Sequence, residues 1–342
     1  GHDQNIECSG STGEICIDGD AGIDHHETSH DCDGAIDNAD FPTGYKAFYI
    51  MKYEVSQGQY VDFLNALTRD QQNTRTESQA EDQYAMSNTG NVNYRNGIRN
   101  PSSIPTAEIQ FGCDLDGITA HNSAAGDGIF NEANDGCDVA MNYTSWMDVA
   151  AYCDWSGLRP FTELEFTKAA RGGQTAVDDE FAWGSTIVES APQTLTDSGQ
   201  ASEVPNRGNL NYNSASPDGP FRVGSFADAT STRQNAGASY YGVMELSGNL
   251  WERTVTLCRE DGRAYTGSHG DGVLSTSGNA TNSDWPGHNG SEVTGAVGSG
   301  FRGGGWGGGT DFSRVAHRYY AAVTDAGRYG AYGVRCSRTS PP

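Results

Sequence analysis

The chain has 342 residues, 45 of them Gly, with 35% hydrophobic content, so one large domain or two modest ones carry a core beneath much loop and turn. Lys+Arg total 21 against 45 Asp+Glu, a net charge of -24. That excludes nucleic acid and anionic membrane surfaces as partners, because both need a basic face, and it suits calcium, whose ligands are oxygens.

Residues 1–40 are acidic and nearly free of large apolar side chains, and read as a loop-rich arm. The arm holds Cys8, Cys16 and Cys32; the other cysteines are Cys113, Cys137, Cys153, Cys258 and Cys336. The number is even and no CxxC pair occurs, so disulfides of an oxidising compartment are expected rather than zinc. Cys113 and Cys137 bracket one Gly/Asp-rich loop and are the first pair expected; the remaining connectivity stays open. No apolar run reaches membrane-spanning length. The protein is expected to be extracellular, on a cell surface or on a virion, with any leader or anchor outside this sequence.

Regular structure is expected from Tyr45-Lys46-Ala47-Phe48-Tyr49-Ile50-Met51-Lys52-Tyr53-Glu54-Val55, a run rich in strand formers. Ser56 then caps a helix in which Tyr60, Phe63, Leu64 and Leu67 share a face. Residues from about 70 to 140 are Gly/Asn/Asp-rich and read as an insertion. Within it Asp127-Gly128-Ile129-Phe130-Asn131-Glu132-Ala133-Asn134-Asp135-Gly136 looks calcium-like. It lacks the full alternating pattern of an EF-hand, so an ordinary acidic loop is the plainer reading. Ser145 caps a second helix through Trp155, which Gly157 stops. Thr162-Glu163-Leu164-Glu165 has capping-box spacing and starts a short third one. After Gly172-Gly173 the chain becomes short strands between Gly, Asn, Asp and Ser clusters.

The last forty residues read as a fixed frame around free positions. The frame is Phe301-Arg302-Gly303-Gly304-Gly305-Trp306, Arg314-Val315-Ala316, Arg318, Arg328 and Gly333-Val334-Arg335-Cys336. The free positions are small or aromatic: Gly307, Gly308, Gly309, Phe312, His317, Tyr319, Tyr320, Ala321, Ala322, Gly327, Tyr329, Gly330, Ala331 and Tyr332. Rings supply contact area at low entropy cost and small residues supply room, the mixture that binding loops use.

Several ordered stretches resemble one family. They are Phe48 to Ser56, Asn142 to Trp146, Leu158-Arg159-Pro160-Phe161-Thr162-Glu163-Leu164-Glu165-Phe166, Phe181-Ala182-Trp183-Gly184, Gly242 to Glu252, Arg302 to Trp306 and Gly333 to Cys336. Together they resemble the formylglycine-generating, sulfatase-modifying family. The resemblance implies an α+β, C-type-lectin-like fold over residues 41–342, with two helices, small twisted antiparallel sheets and long loop insertions. Formylglycine generation in that family needs a thiol pair just after the Gly-Gly-Ser-Trp/Tyr-like motif. Here Gly307 to Tyr320 contains no Cys, so no catalytic residue is assigned. Calcium ligands carry over better. Glu245, Gly248, Leu250 and Glu252 match one family site, with the glycine and leucine offering carbonyls, and Asn209, Leu210 and Asp218-Gly219 resemble a second.

A subset of the family consists of variable proteins of diversity-generating retroelements, in which template adenines are replaced at random. The layout from about 301 to 336 is similar to theirs. Randomising the first two bases of an Asn codon never yields Lys, Glu, Gln, Met or Trp, and none of these occurs from Gly307 to Cys336. Roughly four would be expected there from composition; Asn, Leu and Ile, which are reachable, are absent as well. The scheme requires frame residues to carry the fold, with Trp306 in the core and Arg314, Arg318 and Arg335 on buried carboxylates or carbonyls. The free side chains would then reach solvent as a patch for an unknown protein or cell-surface ligand. The alternatives are a fixed accessory or structural protein of the same family, or a formylglycine-type oxidase. A calcium-dependent sugar lectin fits poorly, since Glu203-Val204-Pro205-Asn206 only approximates its usual triplet.

Overall fold

The computed structural model describes residues 38–189, 194–213 and 217–341, and the backbone of three short strands ahead of them. These strands, β1 (Asn5–Ile6), β2 (Glu14–Asp18) and β3 (Gly22–His26), form one antiparallel sheet. Cys8 and Cys32 and the side chain of Cys16 lie outside the described residues.

The strand expected over 45–55 contracts to β4 (Phe48–Ile50). Beyond Ile50 the chain turns inward: the Val55 amide bonds to Val334 and its carbonyl accepts from Met141, so this part serves the interior rather than a sheet. Ser56 caps α1 (Gln57–Asn65) and Gln59 closes the box. A helix not expected from the sequence follows, α2 (Arg69–Arg75), with Thr68 and Gln71 as its capping pair. Its polar run has no apolar period, but the Thr-x-x-Gln spacing was present to be read. The insertion holds β5 (Ile98–Arg99) paired with β6 (Gly112–Cys113). Then come α3 (Trp146–Trp155), capped by Ser145 and Asp148, and α4 (Glu163–Arg171), capped by Thr162 and Glu165.

The short strands that follow are β7 (Leu195–Thr196), β8 (Val204–Pro205) and β9 (Trp251–Val255). After α5 (Glu260–Arg263) come β10 (Ser299–Arg302), β11 (Tyr332–Gly333) and β12 (Ser337–Thr339). The central sheet has β9 in the middle, antiparallel to β10 and parallel to β11. β12 returns to pair with β4, which brings the two ends of the domain together. This is the mixed α/β fold with small sheets that the sequence implied, with five helices among the described residues where the resemblance implied two and the capping signals marked three.

The main core lies between α1, α3 and the central sheet. Tyr60 and Phe63 of α1 meet Tyr152 of α3 at ring separations of 6.0 and 5.6 Å. Cys113–Cys137 is bonded as expected and closes the loop between them. Cys153–Cys336 ties α3 to the residue before β12 across 183 positions, the kind of long loop whose closure removes most entropy from the unfolded chain. Cys258 is disulfide-bonded too. No helix among the described residues is long and apolar enough to cross a membrane.

Candidate functional site

Four arginines of the C-terminal segment anchor it to buried carboxylates. Arg302, at the end of β10, and Arg318 both reach Glu163 in the first turn of α4, at 3.4 and 2.6 Å. Glu163 also accepts the Leu257 amide at 2.6 Å. Burial, with Arg318 beside it, lowers the Arg302 guanidinium to about 9. Arg328 forks onto both oxygens of Asp148 at 2.6 and 2.8 Å, and Asp148 also pairs with Arg75 at 3.2 Å. Burial alone would raise Asp148, but Arg328 and Arg75 outweigh it and hold the carboxyl below its ordinary range. Arg335 bonds to Glu252 and to the carbonyls of Met51 and Met244. A bidentate fork such as that of Arg328 fixes a backbone path as well as a charge. Trp306 is buried and donates to the Gly330 carbonyl at 2.9 Å.

Arg314 departs from this pattern. It pairs with Asp179 and Asp311, both well exposed, at 2.9 and 2.8 Å, because Thr310–Ser313 is a 3-10 turn on the surface that carries Asp311 outward. Ala316, expected in the frame, is exposed as well, while Val315 is buried.

Among the free positions, Gly307, Gly309, Tyr319 and Tyr329 are exposed, and Gly308, Phe312, His317, Tyr320, Gly327, Ala331 and Tyr332 are partly so. Three expected on the surface are buried: Ala321, Ala322 and Gly330. The reason is close backbone packing. The 320–322 segment runs along β10, where the Phe301 amide bonds to Tyr320, and a Cβ on Gly300 would lie 1.6 Å from the Ala321 carbonyl. A Cβ on Gly330 would lie 2.4 Å from the Tyr94 ring. These positions shape the fold.

The aromatic side chains form one connected face. Phe312 meets His317 at 5.1 Å and Tyr320 at 5.7 Å, and Tyr319 meets Tyr320 at 4.9 Å. Half-buried Trp251 lies beneath, 5.1 Å from Tyr320 and 5.8 Å from Phe312. Through buried Phe301, 6.4 Å from Trp251, the ring contacts continue to Tyr332 at 4.4 Å and on to Tyr329 at 5.2 Å. Buried Arg253 stacks on Phe301 and Tyr332 at 4.2 and 4.9 Å and bonds to the carbonyls of Asp325 and Gly327. Trp251 and Arg253 were not expected as site residues, although Trp251 lies within the matched stretch that ends at Glu252 and Arg253 directly follows it. A cavity of about 690 Å³ opens beside Tyr329, between Tyr143, Met147, Asn279, Arg75 and Arg328.

The first expected calcium set gathers around a third, unforeseen carboxylate. Glu54, Glu245 and Glu252 are all buried, with Arg335 the cation among them. Glu54 accepts from Asn249 and from the Leu250 amide; Glu245 accepts from Gly224 at 2.7 Å. One oxygen each of Glu245 and Glu252 is buried with no hydrogen-bond partner. Burial, then Glu245, pushes Glu54 well above the ordinary carboxylate range. Burial lifts Glu245 to about 7 against the pull of Arg335, and burial raises Glu252 too. Glu245 also holds a φ of 58°, a strained conformation for a non-glycine residue. The Asn209 amide accepts from Glu189 and donates to Gln234 at 3.1 Å each, Leu210 packs with Phe181 and Trp183, and Asp218 faces His121.

The calcium-like run of the insertion contributes Asp127 to a cluster with Asp114 and Asp116, whose oxygens lie within 4.8 Å of one another. Arg99 and the amides of Gly128 and Asp127 already occupy parts of these carboxylates. The cluster has the ligand types to hold a metal ion.

A family model described as "Sulfatase-modifying factor enzyme 1-like domain" matches residues 19–340. The chain is 29% identical over 126 residues to Inactive C-alpha-formylglycine-generating enzyme 2 of Mus musculus, 37% of this chain and 35% of that protein. It is 32% identical over 114 residues to Formylglycine-generating enzyme of Mycobacterium tuberculosis, 33% of this chain and 31% of that protein. The matches thus span about a third of the length of these curated relatives. Among solved structures, PvdO from Pseudomonas aeruginosa aligns with 86% of this chain and 80% of its own, at 19% identity and a TM-score of 0.36. Treponema denticola variable protein 1 aligns with 86% and 84%, at 14% identity and a TM-score of 0.38.

Proposed function

The chain belongs to the sulfatase-modifying factor enzyme 1-like family, and from that premise we propose that it is a ligand-binding variable protein, diversified by a retroelement, rather than a formylglycine-generating enzyme. The observation that carries this is the division of labour in the C-terminal segment. Arg302, Trp306, Arg318, Arg328 and Arg335 are spent on internal bonds, while most positions between them reach solvent. A segment built this way exchanges its displayed side chains at little cost to the fold. The displayed set is dominated by Tyr, Phe and His, side chains common at the hot spots of protein recognition. A protein or other cell-surface ligand fits such a face.

Formylglycine chemistry is disfavoured by the side chains present. Gly307 to Tyr320 has no Cys, and Cys258 and Cys336 are held in disulfides. A thiolate nucleophile has no position there. The disulfides support an oxidising, extracellular setting.

Calcium is the ion we assign to the first expected set. Glu245 and Glu252 would hold it with the carbonyls of Gly248 and Leu250, and Glu54 orders the same loop through Leu250. The unpartnered oxygens on Glu245 and Glu252 are what a hard cation satisfies. Bound there, the ion would neutralise the centre and fix the loop that leads into Trp251.

The deciding experiment is sequencing of the encoding locus and its flanks across the source population. The expected result is a nearby near-identical repeat with adenines at the codons for His317, Tyr319, Tyr320 and Tyr329, beside a reverse transcriptase gene. A single invariant allele with no such repeat returns the protein to a fixed accessory role.

A further inference from the structure

Lysine is nearly absent from this chain: Lys46, Lys52 and Lys168 are the full set in 342 residues. All three line one groove of about 710 Å³. Lys46 precedes β4, Lys52 follows it, and Lys168 comes from the last turn of α4. The groove lining contains no carboxylate. Every ion pair among the described residues is made by an arginine and none by a lysine. Most arginine ion pairs thus serve the interior, while the three lysines gather along one surface of a protein with net charge -24, Lys52 with its ammonium 5.1 Å from the Tyr53 ring. Beside them Tyr45, Tyr49 and Tyr241 are 94%, 63% and 57% exposed. That is a large aromatic area to leave against water in one place.

The groove runs along a strand edge that no other strand among the described residues pairs with. β4 pairs with β12 through Tyr49 opposite Arg338, flanked by bonds from Met51 to Cys336 and from Ser340 to Ala47. In an antiparallel pair, alternate residues direct their backbone groups to opposite sides. Phe48 and Ile50 therefore direct N–H and C=O away from β12. No other strand among the described residues pairs with β4, and its edge is next used at Lys52, whose carbonyl accepts from Met244 at 2.8 Å. Lysines also serve to guard exposed edges against chance pairing. That role covers Lys46 and Lys52 but not Lys168, which arrives from a helix on the far wall.

We propose that this groove docks an extended acidic segment of a partner polypeptide, which adds a strand to the edge of β4. Its backbone bonds to Phe48 and Ile50, its carboxylates meet Lys46, Lys52 and Lys168, and its alternate apolar side chains lie among Tyr45, Tyr49 and Tyr241. Main-chain bonds then supply affinity and the side chains supply selectivity, as in other strand additions. The groove shares no lining residue with the aromatic face. The proposal stands whether or not the C-terminal codons are diversified.

The test titrates the full ¹⁵N-labelled chain with an eight-residue Glu-Val repeat peptide, blocked at both ends. A Lys-Val repeat and a Glu-Val repeat N-methylated at alternate residues are the controls. The expected result is saturable binding of the plain Glu-Val peptide, with shifts at the Phe48 and Ile50 amides. Both controls should fail, and the K46E/K52E/K168E variant should bind about tenfold more weakly or worse. The variant's unchanged amide spectrum elsewhere will establish that it is folded. Absence of saturable binding overturns the proposal, as does equal binding of the Lys-Val peptide. Equal binding of the N-methylated peptide reduces the groove to simple anion attraction and overturns strand addition. Shifts confined to another surface overturn the location.

Discussion

The two halves of the C-terminal segment look alike in sequence and differ in space. From Gly307 to Tyr320 the chain leaves the sheet, and its Gly, Phe, His and Tyr side chains stand at or near the surface. From Ala321 to Tyr332 it returns along β10 and β9, and Ala321, Ala322 and Gly330 are buried. Both halves are runs of small and aromatic residues. A position that looks free to vary is free only where the backbone is far enough from its neighbours for a side chain to project.

The comparison can be broken most forcefully at its anchors. Glu163→Gln should destabilise the protein by about 4 kcal/mol, because it leaves the Arg302 and Arg318 charges buried with no anion. A denaturant midpoint within error of the parent would mean that this frame does not hold the segment. Next is the contrast between two glycines. Gly330→Val should cost about 3 kcal/mol through its clash with Tyr94, whereas Gly307→Val, with nothing within 4 Å of its Cβ, should stay within about 0.5 kcal/mol. Equal losses would erase the distinction between the halves.

The tyrosines sharpen it. Tyr332 packs on Phe301 and Arg253 and bonds to Asp325 at 3.2 Å, and burial lifts its hydroxyl to about 12. Its change to Ala should cost about 2 kcal/mol, while Tyr319→Ala, at a side chain 59% exposed, should cost less than about 0.5 kcal/mol. Thermal melting of the two variants side by side decides this, and a large loss at Tyr319 would remove it from the displayed set.

The carboxylate centre gives the smallest and most conditional effect. Glu245 has its folded value raised from the ordinary 4.5 to about 7. A carboxyl raised on folding holds its proton more tightly in the folded state. The stability that this proton contributes is full below about 4.5 and is lost as pH rises through about 7. Chelator-treated protein should therefore lose melting temperature over that window, and added calcium should restore it at the upper end. A profile unchanged by calcium would remove the ion from the Glu54, Glu245 and Glu252 centre.

Much of the scaffold was legible in the chain. Ser56, Ser145 and Thr162 each sit three residues before a side chain that closes a capping box, and each starts a helix. Cys113 and Cys137 bracket their loop and are bonded. Such features depend on neighbours in sequence, so sequence reveals them. Glu54, Trp251 and Arg253 were not legible as site residues. Glu54 joins Glu245 and Glu252 from across roughly two hundred positions, through its bond to the Leu250 amide. Arg253 matters because it holds a loop more than seventy residues away.

The sequence by itself determined the family, three of the helix starts, the first disulfide and the frame of arginines around a Gly- and Tyr-rich segment, because local capping, spacing and residue type carry that information. Only the tertiary structure decided which free positions face solvent, which carboxylate each arginine takes, and that three scattered lysines share one groove. Those outcomes depend on distances between segments far apart in the chain, and close backbone packing sets them with no local signature.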